Sequence, residues 1–171
     1  NGSVSALTIA SGGTLAPGNS PGTLTASSAT WSNGGSYDWE IFSLADVPGS
    51  SWDLLDVAGA LDLNGLTAEG YTVNLISLSG WSERGALTGF DPAASYSNWL
   101  ITSATTISGF QAGDFKLNSD LFVGATGTFA IEQRAITGGD GLFLTYTGGG
   151  QPIPEPSTWA AAALLAGCAA L

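Results

Sequence analysis

Histidine is missing from this chain altogether, and cysteine occurs once, as Cys168. The first absence removes Ser-His-Asp and Cys-His catalysis, together with imidazole-ligated zinc. The second leaves no intrachain disulfide. Cys168 lies among small apolar residues, where it reads as a packing or membrane-facing side chain. Positive charge is scarce too. Arg84, Lys116 and Arg134 stand against 14 acidic residues, for a net charge of −11. Such a surface has no cations to displace the counterions of a nucleic acid, and nothing to dock electrostatically on anionic lipid. It favours solubility and mutual repulsion, which divalent cations would modulate. The long apolar run, Trp159 to Leu171, is shorter than the ~20 residues a membrane-spanning helix needs.

What the chain has instead is apolar bulk and glycine. Hydrophobic residues make up 44%, with six Trp, seven Phe and 25 Gly. That composition can bury a core and is not one of a disordered chain. The length suits one domain, residues 1–150, then a Pro-rich linker, 151–158, and an apolar segment, 159–171. Tyr37, Trp39 and Ile41 alternate with Asp38 and Glu40, the period-2 pattern of a strand with one wet face. Leu55, Val57, Leu61 and Leu63 share a parity opposite to Asp56 and Asp62, and Gly59 interrupts their face as a bulge or close approach would. Tyr71, Val73 and Leu75 repeat the pattern. Turns are expected at Gly12-Gly13, Pro17-Gly18-Asn19, Asn33-Gly34-Gly35, Asn64-Gly65 and Gly138-Gly139-Asp140-Gly141. The last of these joins the alternating runs 127–133 and 142–147, which predicts a hairpin. Strands at this density, with no amphipathic helix between them, point to an all-β solenoid or a β-sandwich.

Two resemblances sharpen this. Pro154-Glu155-Pro156-Ser157-Thr158, followed by the apolar run from Trp159 through Leu164 and Leu165 to Leu171, resembles the PEP-CTERM sorting signal of Gram-negative bacteria. The resemblance implies export, a transient stay in the inner membrane on an apolar helix, and recognition by exosortase. The Arg-rich cluster that ends the family pattern does not follow Leu171, and Asn1-Gly2-Ser3 carries no initiating Met or apolar leader. Trimmed or processed ends are therefore expected. The string Ser11-Gly12-Gly13-Thr14-Leu15-Ala16-Pro17-Gly18-Asn19-Ser20-Pro21-Gly22-Thr23-Leu24 resembles the passenger-associated transport repeat of autotransporters, together with Trp52-Asp53-Leu54-Leu55-Asp56-Val57 and Asn64-Gly65. It implies rungs of a right-handed parallel β-helix. The body after residue 80, richer in Trp and Phe, is expected to form a C-terminal β cap, parallel or antiparallel. With a single copy of the repeat, only rung geometry is implied, not autotransporter secretion.

Carboxylates come in sequence pairs: Asp38 with Glu40, Asp53 with Asp56, and Asp56 with Asp62. Parallel β-helices can host polysaccharide-cleaving acid pairs, but such sites add cations to hold substrate, and this chain is poor in them. No catalytic residue is expected. Calcium is the cofactor such oxygens would suit, although Gly138-Gly139-Asp140-Gly141 lacks a repeated calcium-binding register and reads as a hairpin turn. Among the tryptophans, Trp39 is expected in the core. Trp81 and Trp99, beside Gly- and Ser-rich stretches, are the expected exposed contacts for carbohydrate or for an interface. The expectation is an exported, non-catalytic structural protein of the cell surface or extracellular matrix, including biofilm. It would self-assemble end-on into fibres through the uncharged, proline-free stretch Ser3-Val4-Ser5-Ala6-Leu7. The alternative is an anchored monomer that binds exopolysaccharide.

Overall fold

A computed structural model describes residues 1–150. The expected linker, sorting motif and apolar helix at 151–171 lie outside the described residues. The described chain is all-β: β1 Gly2–Ile9, β2 Thr14–Leu15, β3 Thr23–Trp31, β4 Ser36–Ile41, β5 Leu54–Asp62, β6 Tyr71–Gly80, β7 Glu83–Arg84, β8 Tyr96–Ser108, β9 Phe115–Leu121, β10 Thr128–Ile136 and β11 Gly139–Thr147. A three-residue 3-10 turn, Ala112–Asp114, precedes β9.

The strands form two sheets, and the chain alternates between them. The first runs in the order β1-β3-β5-β8-β11-β10, and the second places β2, β4, β6 and β9 side by side, with β7 against the end of β6. β1, β3, β5 and β8 are mutually parallel, and so are β2, β4, β6 and β9. Successive visits to a sheet fall in register, so like residues stack in columns. Leu24 is opposite Leu55, which is opposite Thr102. Leu15, Tyr37, Val73 and Leu117 form another column.

Glycine makes the corners between sheets. Gly12 and Gly34 both take φ +79°, a conformation that costs an L side chain energy and glycine almost nothing. The corners stack as the strands do: Gly12 N–H donates to Gly34 O (2.8 Å), and Gly34 N–H to Gly70 O (2.7 Å). A ladder of backbone hydrogen bonds thus continues around the bend, where a loop would leave its polar groups to water.

The core lies between the sheets, and the alternations put it there. Tyr37, Trp39, Ile41, Leu55, Val57, Leu61, Leu63, Tyr71, Val73 and Leu75 are all buried. Trp31 of the first sheet stacks on Tyr71 of the second, centroids 4.6 Å apart, and Trp39 meets Trp99 across the gap at 5.9 Å. Gly59 is both things its position suggests. β5 carries an extra residue there relative to both neighbours, since Val57 and Leu61 face Ala26 and Ala29 on one side, and Val57 and Ala60 face Ala104 and Thr106 on the other. A Cβ on Gly59 would also sit 2.5 Å from Ser27 O.

After residue 80 the parallel pattern persists through β8 and β9. An antiparallel hairpin, β10–β11, then lies against β8. Its turn is tighter than expected. Residues 139–141 belong to β11, leaving Thr137-Gly138 as the connection. Close approach to β8 explains these glycines: a Cβ on Gly139 would meet Ala104 O at 2.1 Å, and one on Gly141 would meet Leu100 Cδ1 at 2.6 Å.

Candidate functional site

The acidic residues hold the frame together. Asp38 projects from the outer face of β4 and accepts a hydrogen bond from Asn74 Nδ2 (2.6 Å); Asn74 Oδ1 in turn accepts one from Asn118 Nδ2 (3.1 Å). These three residues are register partners on β4, β6 and β9, so the bonds form a side-chain ladder along the stack. Glu40 accepts a hydrogen bond from Ser20 Oγ. Asp56, on the outer face of β5, accepts one from Ser103 Oγ (2.8 Å). Asp62 binds both the backbone N–H and the Nδ2 of Asn64 (3.0 and 2.8 Å), and those bonds hold its carboxyl below the usual range.

Asp53 differs from these acids. It is 1% exposed. Its Oδ1 accepts Gly22 N–H (2.7 Å) and its Oδ2 accepts Glu40 N–H (3.0 Å), tying β4 to the start of β3. Its own carbonyl accepts Trp39 Nε1–H (3.0 Å). Burial pushes its carboxyl up to about 7, against the two backbone donors, with the neighbouring charges of Glu40 and Asp38 adding to the rise. The sequence pair Asp53 and Asp56 is thus split between a buried structural clamp and an outer surface. Beneath it the Tyr37 hydroxyl, itself pushed far up by burial and then by Asp53, donates to Ile101 O (3.1 Å). In the hairpin, Asp140 Oδ2 accepts Ile107 N–H (3.3 Å). Among the described residues, no three Asp, Glu, His or Cys side chains gather as a metal site.

The two tryptophans expected at the surface part company. Trp99 is only 3% exposed, which corrects its reading as a surface contact. It sits within β8, not beside a turn, and alternates inward with Ile101. There it packs between Tyr96 (stacked, 5.2 Å), Trp39 and Phe122. It also lines a cavity of about 290 Å³ together with Leu44, Trp52, Tyr96 and Asn98. Trp81 is 58% exposed. It caps the turn between β6 and β7 and leans edge-on against Phe42 (5.7 Å). Beside it lies a second cavity of about 300 Å³, walled by Asn1, Asn19, Pro21, Gly49 and Ser50. Local sequence did not reveal these wall residues as partners of Trp81, because two separate loops and the residue preceding β1 bring them there.

A different kind of site lies at the first edge of the stack. β1 has β3 on one side and, among the described residues, no strand on the other. Val4 is opposite Ala26, and Ala26 is opposite Val57. Ala26 and Val57 are buried, whereas Val4, in the same inward column, is 41% exposed. The core therefore reaches the surface at this end. The expected sorting residues, Pro154, Glu155, Pro156, Trp159, Leu164, Leu165 and Leu171, lie outside the described residues. Compared with protein families, curated proteins and solved structures, the chain matches none of them.

Proposed function

We propose that this chain is an exported, non-catalytic structural module whose coils stack as a right-handed β-helix and whose copies assemble end-on into filaments at the cell surface or in the extracellular matrix. The observation that carries the proposal is the pairing of its edges. Among the described residues, β1 offers a row of unpaired backbone donors and acceptors, with no charge, proline or bulge within the strand to blunt it. At the opposite edge of the same sheet lies β10. It is antiparallel to β11, which is antiparallel to β8, so β10 runs in the same sense as β1. In the second sheet β2 and β9 likewise run in one sense. A second copy laid head-to-tail on the first could continue both ladders in parallel, and a heterologous contact of this kind need not close.

The exposed end of the Val4 column supplies the apolar part of that contact. Against it stands the net charge of −11, which makes copies repel one another and assembly dependent on salt or divalent cations. Export, exosortase handling and inner-membrane residence rest on the resemblance of residues 154–171 and belong to the same proposal. The test is sedimentation and negative-stain microscopy of the full chain across concentration and ionic strength. Wild type is expected to elongate as salt rises. Val4→Asp, which puts a charge at the open end of the column, is expected to stay monomeric with an unchanged strand spectrum. A wild-type protein that remains monomeric throughout, or a Val4→Asp variant that elongates equally, contradicts the proposal.

A further inference from the structure

The geometry points to a binding site for a neutral saccharide at Trp81, walled by the Pro-Gly-Asn corner of the first coil. Trp81 presents most of an indole to solvent in a chain that buries Trp31, Trp39, Trp52 and Trp99. Its ring is braced edge-on by Phe42, so its orientation is set by packing and costs little side-chain entropy when a ligand lands on it. The adjoining cavity, about 300 Å³, lies at the small end of the range of small-molecule sites.

The walls are rigid for reasons the sequence supplies. At Gly18 and Gly22 the chain crosses itself so closely that a Cβ on Gly18 would lie 2.6 Å from Gly22 Cα. Gly22 N–H is held by Asp53, and Ser20 by Glu40. On the other side Gly49, at φ +76°, leaves no room for a side chain, because a Cβ would meet Thr23 Oγ1 at 2.0 Å; its N–H donates to Trp52 O (2.7 Å). Asn19, Pro21 and Ser50 are therefore presented on fixed backbone.

The chemistry of the lining selects the ligand class. The exposed face of Trp81 offers apolar stacking to the C–H face of a pyranose, over a floor that includes the buried Pro21. The carboxamides of Asn1 and Asn19 and the hydroxyl of Ser50 offer neutral donors and acceptors for its hydroxyls. Asn1 Oδ1 already accepts Thr23 N–H (2.9 Å), which leaves its NH₂ as the group to donate. No lining side chain carries a charge, and the whole chain's negative field would repel a phosphate, sulfate or uronate. This inference is independent of end-on assembly, since Trp81 is not part of β1 or β10.

The test titrates the full chain with cellohexaose and with mannohexaose, with hexagalacturonate as the anionic control, by calorimetry and tryptophan fluorescence. At least one neutral hexaose is expected to bind. Trp81→Ala should weaken it by about tenfold or more, the scale of one lost aromatic stack with its buried area. Trp81→Phe should retain most of the affinity, and Asn19→Ala should fall between. The thermal midpoints of all three variants should match wild type, because Trp81 and Asn19 stand outside the core. The inference is overturned if neither neutral hexaose binds, if Trp81→Ala binds as wild type does, or if the uronate binds as tightly. Loss of self-association in Trp81→Ala without any sugar binding would also overturn it, by making the indole a contact between copies.

Discussion

At the scale of single residues, the informative positions are the polar groups that folding has taken out of water. Asp53 is the clearest. Its carboxyl is pushed up to about 7 by burial, so the folded state holds its proton more tightly than the unfolded chain does. Its contribution to stability is fully present below about pH 4 and is lost as pH rises through about 7. Between pH 5 and 8 that loss amounts to as much as about 3 kcal/mol. Asp53→Asn cannot titrate, and it turns an NH₂ toward one of the two N–H donors the carboxyl accepts. It should be less stable than wild type at pH 5, yet lack this fall toward pH 8. Denaturant melts of both proteins at the two pH values check the slope, and equal slopes would contradict the assignment. Thr102 is the opposite case: its hydroxyl is buried with no hydrogen-bond partner, in the column of Leu24 and Leu55. Replacing an unsatisfied hydroxyl with a methyl removes a desolvation cost at nearly constant shape, so Thr102→Val should stabilise by about 1 kcal/mol, or roughly 2–4 °C in Tm. A lower Tm would count against it. At this scale local pattern revealed Trp39 but not Trp99. The Ser- and Asn-containing flank of Trp99 reads as a turn, while the structure runs β8 straight through it. Asp53 was hidden too, because a carboxylate beside apolar residues looks like a wet-face residue until its two backbone donors, distant in sequence, are known.

At the scale of elements, alternation and glycine placement were legible because both are local physics. Period-2 runs placed the inward faces of β4, β5 and β6, and Gly12, Gly34 and Gly59 marked two corners and a bulge. The β10–β11 hairpin was visible as two runs around a glycine cluster. Its turn was shorter than the cluster, because some of those glycines serve contact with β8 and not chain reversal. What no local pattern carries is which strands become neighbours. The pairing of β4 with β6 and of β6 with β9 spans long intervening segments, and with it comes the Asp38–Asn74–Asn118 ladder. Asn74 is its middle member, bonded on both sides. Asn74→Ala removes two hydrogen bonds and strands a half-buried carboxylate, a cost of about 1–3 kcal/mol. Asn118→Ala removes one of the two and should cost less. Denaturant midpoints order the pair, and equal losses would mean that the ladder does not act as a unit.

At the scale of the whole molecule, composition excluded more than it identified. The lack of His and the scarcity of Lys and Arg narrowed the chemistry, and the strand pattern gave the all-β class, while the two sheets of parallel strands visited in alternation came only with the structure. Those sheets enclose one core, and among the described residues nothing covers that core at the β1 end. A cation-poor surface opposes association and an open apolar edge promotes it, so ionic strength should set the balance, with Val4 as the point where one added charge tips it. The most direct measurement is fibre diffraction, or helical reconstruction by electron microscopy, on material assembled at high salt. If β1 of one copy continues the ladder from β10 of the next, the strands lie across the filament axis, and a repeat of about 4.8 Å appears along that axis. A filament whose strand repeat lies perpendicular to its axis, or a chain that never leaves the monomer, contradicts the account.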